Sequence, residues 1–138
     1  MVNRDSFQEQ FKREVKKSKR YRKSLLKTSK MLDKDGYPTN ECLEIIKKWH
    51  FSDPEGWFKF IKKYWRHSSF GWNEEDGLYG FDKKIHRIYM STAGWSGNES
   101  IIIAMEQNVC MWNVVWFQSQ RGGHYIFEIY KVSDGDIK

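Results

Sequence analysis

Apolar side chains recur at helical spacing along the first third of the chain. At about 100° per residue, Phe7, Phe11, Val15, Tyr21, Leu25, Leu26 and Leu32 share one arc of a long helix expected over residues 6–32. Ser6 and Glu9 have the spacing of a capping box at its start. Asp33-Lys-Asp-Gly36 ends it. A second helix opens at Thr39 or Asn40 and turns Cys42, Ile45, Ile46 and Trp49 inward. Its first turns carry Glu41 and Glu44 and its last Lys47 and Lys48, which suits the helix dipole. Asp53-Pro54 marks a third start, with proline at the first helical position. Trp57, Phe58, Phe60, Ile61, Tyr64 and Trp65 form its apolar face. His50 and His67 stand at the ends of these two helices, where a cation is favoured.

After Phe70 the period shortens toward two, with Gly, Asn and Asp between short runs. A strand is expected over residues 80–90, best marked at Ile85-His-Arg-Ile-Tyr-Met90, and a further one near 70–81. Residues 98–108 read as a buried helix, apolar all round at Ile101, Ile102, Ile103, Ala104 and Met105. Residues 110–118, rich in Val and Trp, and 124–132, alternating Tyr, Phe, Ile and Tyr, read as strands. Ser119-Gln-Arg-Gly-Gly123 joins them as a hairpin turn. Helices grouped first and strands later predict a single α+β domain over residues 1–138: three N-terminal helices, then a small antiparallel sheet with one buried helix.

Composition narrows the class. The 138 residues include nine Phe, seven Tyr and seven Trp, far too many aromatics for a disordered chain. The longest apolar run, Ile101 to Met105, is a quarter of the roughly 20 residues that span a bilayer, so no membrane partner is expected. The basic N-terminus lacks the apolar stretch of a signal peptide. Two cysteines, Cys42 and Cys110, fit a reducing interior rather than a disulfide scaffold. Together these features predict an intracellular, cytoplasmic protein.

Charge changes the picture more. The formal net charge is +6, yet residues 1–30 hold eleven Lys or Arg against three acids, and the other 108 residues hold 13 against 15. The excess therefore belongs to residues 1–33, a basic amphipathic helix about 40 Å long that could project from the domain. Opposite its apolar arc lie Lys12, Arg13, Lys16, Lys19, Arg20, Lys23, Lys27 and Lys30. The third helix likewise sets Lys59, Lys62, Lys63 and Arg66 opposite its rings. Rings segregated from cations belong to the core, so base stacking on them is not expected. The two cationic faces remain for phosphate, or for an acidic surface of a nucleoprotein. A solvated packing helix, or one that pairs with itself in a homo-oligomer, carries the same pattern.

A second cluster is polar and glycine-rich. Ser91-Thr-Ala-Gly-Trp-Ser-Gly-Asn-Glu99 stands between a strand and a helix, where Ser91, Thr92, Trp95, Ser96 and Asn98 could surround a phosphate or carboxylate. Ser96 and Glu99, however, also have capping-box spacing, and Glu99 repels an anion there. Gly94-Trp95-Ser96-Gly97 departs from a nucleophile elbow by the placement of its second glycine. His86, Arg121 and His124 are the remaining groups a small enzyme or ligand-binding domain would draw to that loop. The four histidines and two cysteines show no metal-ligand spacing, and no cofactor motif is present. No catalytic residue is assigned, and a non-catalytic role is favoured.

Residues 91–99, the aromatic run Met111-Trp112…Trp116, and Arg-Gly-Gly-His-Tyr-Ile-Phe-Glu-Ile (121–129) together resemble a family of small uncharacterised phage and prophage proteins. The likeness spans about residues 85–130 and, more loosely, the Pro38 helix. It leaves out the basic N-terminal helix and carries no known reaction. It implies a phage protein acting in the host bacterial cytoplasm, with host takeover or anti-defence roles such as anti-CRISPR inhibition of an effector nuclease. The expected function is therefore that of a binding protein whose basic helix engages nucleic acid or a nucleic-acid-handling host protein.

Overall fold

The computed structural model describes residues 4–80 and 83–131. Residues 1–3 of the basic segment, 81–82 of the expected strand 80–90, and Val132 lie outside them. The chain is α+β, with helices gathered on one face of a four-stranded antiparallel sheet. Helix α1 (Arg4–Thr28) is followed by α2 (Asn40–Lys48), α3 (Pro54–Tyr64) and the single turn α4 (Ser68–Gly71). Strands β1 (Trp72–Gly80) and β2 (Lys83–Ser91) come next, then α5 (Ser96–Gln107) and α6 (Val109–Val115). Strands β3 (Trp116–Gln120) and β4 (His124–Lys131) close the fold. The sheet order is β1-β2-β4-β3. No helix among the described residues is long and apolar enough to cross a membrane.

Local chemistry explains the starts of α2 and α3. The Thr39 side chain accepts the Cys42 amide and the Asp53 side chain accepts the Gly56 amide, the second just ahead of Pro54. Their expected inward residues are buried, apart from the half-buried Tyr64. These stripes meet the inner sheet face through Phe58, whose ring lies 5.3 Å from Phe127 on β4 and 6.4 Å from Trp72 on β1. Strand register puts His86, Ile88 and Met90 opposite Ile129, Phe127 and Tyr125 on that inner face. Arg87, Tyr89 and Glu128 face outward, and Arg87 pairs with the nearly buried Glu128 carboxylate.

Several boundaries differ from expectation. Helix α1 ends at Thr28 rather than Leu32, because Met31 turns into the core and Leu32 bridges Pro38. The Thr39 hydroxyl and amide hold that turn through the Lys30 and Met31 carbonyls. Ser6 lies inside α1, which already begins at Arg4, so Ser6 and Glu9 are not its capping box. Nor do Ser96 and Glu99 cap α5. Trp95 precedes that helix without a side-chain cap, and the Ser96 hydroxyl reaches the Tyr37 hydroxyl instead.

The largest difference lies at 110–118, where the expected strand is helical as far as Val115 and extended only from Trp116. Asn108 is the cause: its side chain accepts the Met111 amide while donating to the carbonyls of Ile46 and Trp49. Met111 and Val115, four apart, are then buried together. The interior thus holds two late helices rather than one. Helix α5 is not buried all round either, since Ile103 is 55% exposed.

Candidate nucleic-acid interface

Helix α1 is held by one side. Phe11 packs edge-on against His50 and Phe51, Ser18 donates to the Lys48 carbonyl, and Lys48 reaches Tyr21. The Arg22 guanidinium lies 3.7 Å from the centre of the Trp49 ring. Burial pulls the Arg22 pKa below its ordinary value, with nearby Asp53 opposing that shift. Leu25 packs against the core from a half-buried position. Phe7 and Leu26, at the two ends of the apolar arc, stay largely in solvent.

The opposite side of the helix is cationic. Lys12, Arg13, Lys16, Lys19, Arg20, Lys23 and Lys27 are all exposed, and none forms an ion pair with a described carboxylate. From Lys12 to Lys27 the helix rises about 22 Å, the axial length of roughly six base pairs of duplex DNA. Glu14, the one acid within that stretch, projects on the other side.

The α3 cations occupy a different place. Lys62 pairs with Glu74 of β1 at 3.0 Å, and both Lys59 and Lys62 line a cleft over the sheet. The Arg66 guanidinium stands 4.9 Å from the Trp95 ring centre. Of the four α3 cations, Lys59 and Lys63 are exposed with no ion pair or ring contact among the described residues.

The residues of the 91–99 loop do not converge on one pocket. The amide of Asn98, fully buried, accepts the Arg66 N–H at 2.9 Å and donates to the Arg66 carbonyl at 2.8 Å and the Thr92 carbonyl at 3.4 Å. Thr92 is also buried and donates its N–H to the Gly123 carbonyl. Gly123 has φ +80, and a Cβ there would stand 2.3 Å from the Thr92 hydroxyl, so glycine is required. The Trp95 ring packs against Tyr37 at a tilt of 35°, ring centres 4.9 Å apart. Ser96 contacts Tyr37 rather than a histidine, and Glu99 points to solvent.

Ser91 and His124, register partners on β2 and β4, meet with Oγ and Nδ1 2.6 Å apart. No described carboxylate lies against His124 to orient it for nucleophile activation. Arg121 is exposed at the adjoining hairpin tip. His86 is on the opposite sheet face from Ser91, as five residues along a strand require.

There His86 builds a cluster that the sequence reading did not assemble. Nε2 lies 2.7 Å from Glu74 and Nδ1 2.9 Å from Asp76. Lys62 and Trp72 also donate to Glu74, and Lys131 pairs with Asp76. Burial opposes ionisation of Glu74, but hydrogen bonds from His86, Lys62 and Trp72 outweigh it and hold the carboxyl below its ordinary pKa. Asp76 is lowered first by its bond from His86. Parity along β2 is the one sequence signal that separates His86 from Ser91. Comparison with protein families, with characterised proteins and with solved structures returned no match for this chain.

Proposed function

We propose that the chain is a non-catalytic nucleic-acid-binding protein that engages the phosphate backbone through the exposed face of α1. One observation carries the reading: seven exposed cations without a described ion-pair partner run along a helix docked by its opposite side. Such a face matches a polyanion and supplies affinity without base-edge readout. The resemblance to phage proteins suggests a nucleic acid handled by a host defence nuclease, and an inhibitory role by competition for it.

The test is fluorescence anisotropy with a 20-base-pair duplex over a range of salt concentrations. Five phosphate contacts predict a log–log salt slope of about −4.5. Reversing Lys16, Lys19, Arg20, Lys23 and Lys27 to Glu should abolish binding and leave the fold intact, because these side chains are exposed. Retained affinity in that folded variant, or salt-independent binding by the native chain, overturns the proposal. If an acidic host protein displaces the duplex from the native protein and does not bind the variant, the face serves both kinds of partner.

A further inference from the structure

Between α3 and the inner sheet face lies a cleft of about 270 Å³. Its floor is apolar: Phe58, Trp72, Ile88 and Ile129, each under a tenth exposed, so the opening is narrow. A second hollow of about 380 Å³ adjoins it and shares Glu55, Ile129 and Lys131. The first cleft is close to the lower end of small-molecule sites, roughly 300–1,000 Å³. It has room for a fused ring with one polar substituent.

The rim defines that substituent. Glu74 accepts from His86, Lys62 and Trp72, while Asp76 accepts from His86 and pairs with Lys131. Lys62 pairs with Glu74 and Lys131 with Asp76, so these two acids are already matched by cations. Glu55 sits at the outer lip in the first turn of α3, where the helix dipole favours it. Lys59, one helical turn further into the cleft, has no ion-pair partner among the described residues. Glu55 likewise has no ion pair among the described residues, but it lies at the outer lip; an apolar floor beneath the unpaired Lys59 ammonium group is complementary to a flat hydrophobic body bearing a negative charge.

We propose that this cleft binds a small aromatic anion, its ring on the Phe58, Trp72, Ile88 and Ile129 floor and its carboxylate or phosphate at Lys59. The shared chemistry is a planar ring with an anionic group, supplied by an aryl carboxylate or by a nucleoside monophosphate. The cleft uses no residue of α1, so it stands or falls separately from the polyanion face.

The experiment follows the Ile88 and Ile129 methyl resonances of the full chain by NMR. The probes are naphthalene-2-carboxylate and adenosine 5′-monophosphate, with neutral 2-naphthylmethanol and adenosine as controls. At least one anion should shift these methyls saturably and bind about fivefold tighter than its neutral counterpart, the size of one exposed ion pair. The tighter anion identifies the source. Lys59→Gln, an exposed substitution that leaves the core untouched, should remove the preference for the anion without changing binding of the neutral compound. The proposal fails if neither anion moves the methyls, if anion and neutral bind alike, or if Lys59→Gln keeps the preference.

Discussion

Replacing Asn98 with Ala separates a ligand residue from a structural one. The side chain is fully buried and makes three hydrogen bonds, two to Arg66 and one to Thr92. Truncation leaves the Arg66 N–H and carbonyl and the Thr92 carbonyl without this partner. A buried polar group left unsatisfied costs about 1–3 kcal/mol. Water reaches the part-buried Arg66 groups and reduces their share, so the expected loss is about 3–4 kcal/mol in all. That is a large fraction of the roughly 5–15 kcal/mol that hold a domain folded. At this chain length it should lower Tm by about 10 °C. Asn98→Asp sharpens the test. A carboxylate still accepts the Arg66 N–H but faces the Arg66 and Thr92 carbonyls with no donor, so it should be no better than Ala. Urea unfolding followed by tryptophan fluorescence measures both variants, and duplex affinity of the folded protein should stay at the native value. A loss under about 1 kcal/mol for Ala, or full stability for Asp, would refute the clamp.

Gly123→Ala should cost about 2–3 kcal/mol, from its positive φ and the contact with Thr92. Gly122→Ala, whose nearest neighbour would be 3.5 Å away, should cost only the φ penalty of about 1–2 kcal/mol in the same unfolding assay. Because the Glu74 pKa is depressed in the folded state, its contribution is complete above the ordinary Glu value of about 4.3 and is lost as pH falls through the folded value. Urea midpoints taken from pH 6 to pH 3 should therefore fall less steeply in Glu74→Gln than in the native chain. Burial pushes the Cys42 thiol up to about 12, whereas Cys110 is exposed, so a thiol reagent at neutral pH should label Cys110 rapidly and Cys42 only on unfolding.

What the sequence disclosed was what neighbours along the chain decide. Asp53 before Pro54 and Thr39 before the Cys42 stripe are local signals, and both helices start there. The alternation of 124–131 likewise placed β4, since its pattern depends only on one buried sheet face. Residues 109–115 were opaque for the opposite reason. Val109, Val114 and Val115 favour strands, but Asn108 binds carbonyls about sixty residues earlier and fixes the chain as a helix. The 91–99 loop misled similarly: its polar residues suggest a ligand cradle, whereas Asn98 and Thr92 satisfy Arg66 and Gly123. The meeting of Glu74, Asp76 and His86 needs strand register, which no local pattern carries.

The two buried amides at the ends of α5 have a consequence beyond their strength. Between them run Ile101, Ile102, Ile103, Ala104 and Met105, side chains similar enough that hydrophobic burial alone distinguishes poorly between neighbouring rotations of the helix. Asn98 before this run and Asn108 after it accept no such ambiguity. A turn of about 100°, one residue's worth, would carry the Asn98 amide away from Arg66 and Thr92, and a one-residue slide would take Asn108 from Ile46 and Trp49. Competing packings thus each leave buried polar atoms without partners, and the gap separating the native arrangement from its nearest rivals is set by amides rather than by oil. Helix α5 owes its single orientation to the polar residues at its two ends.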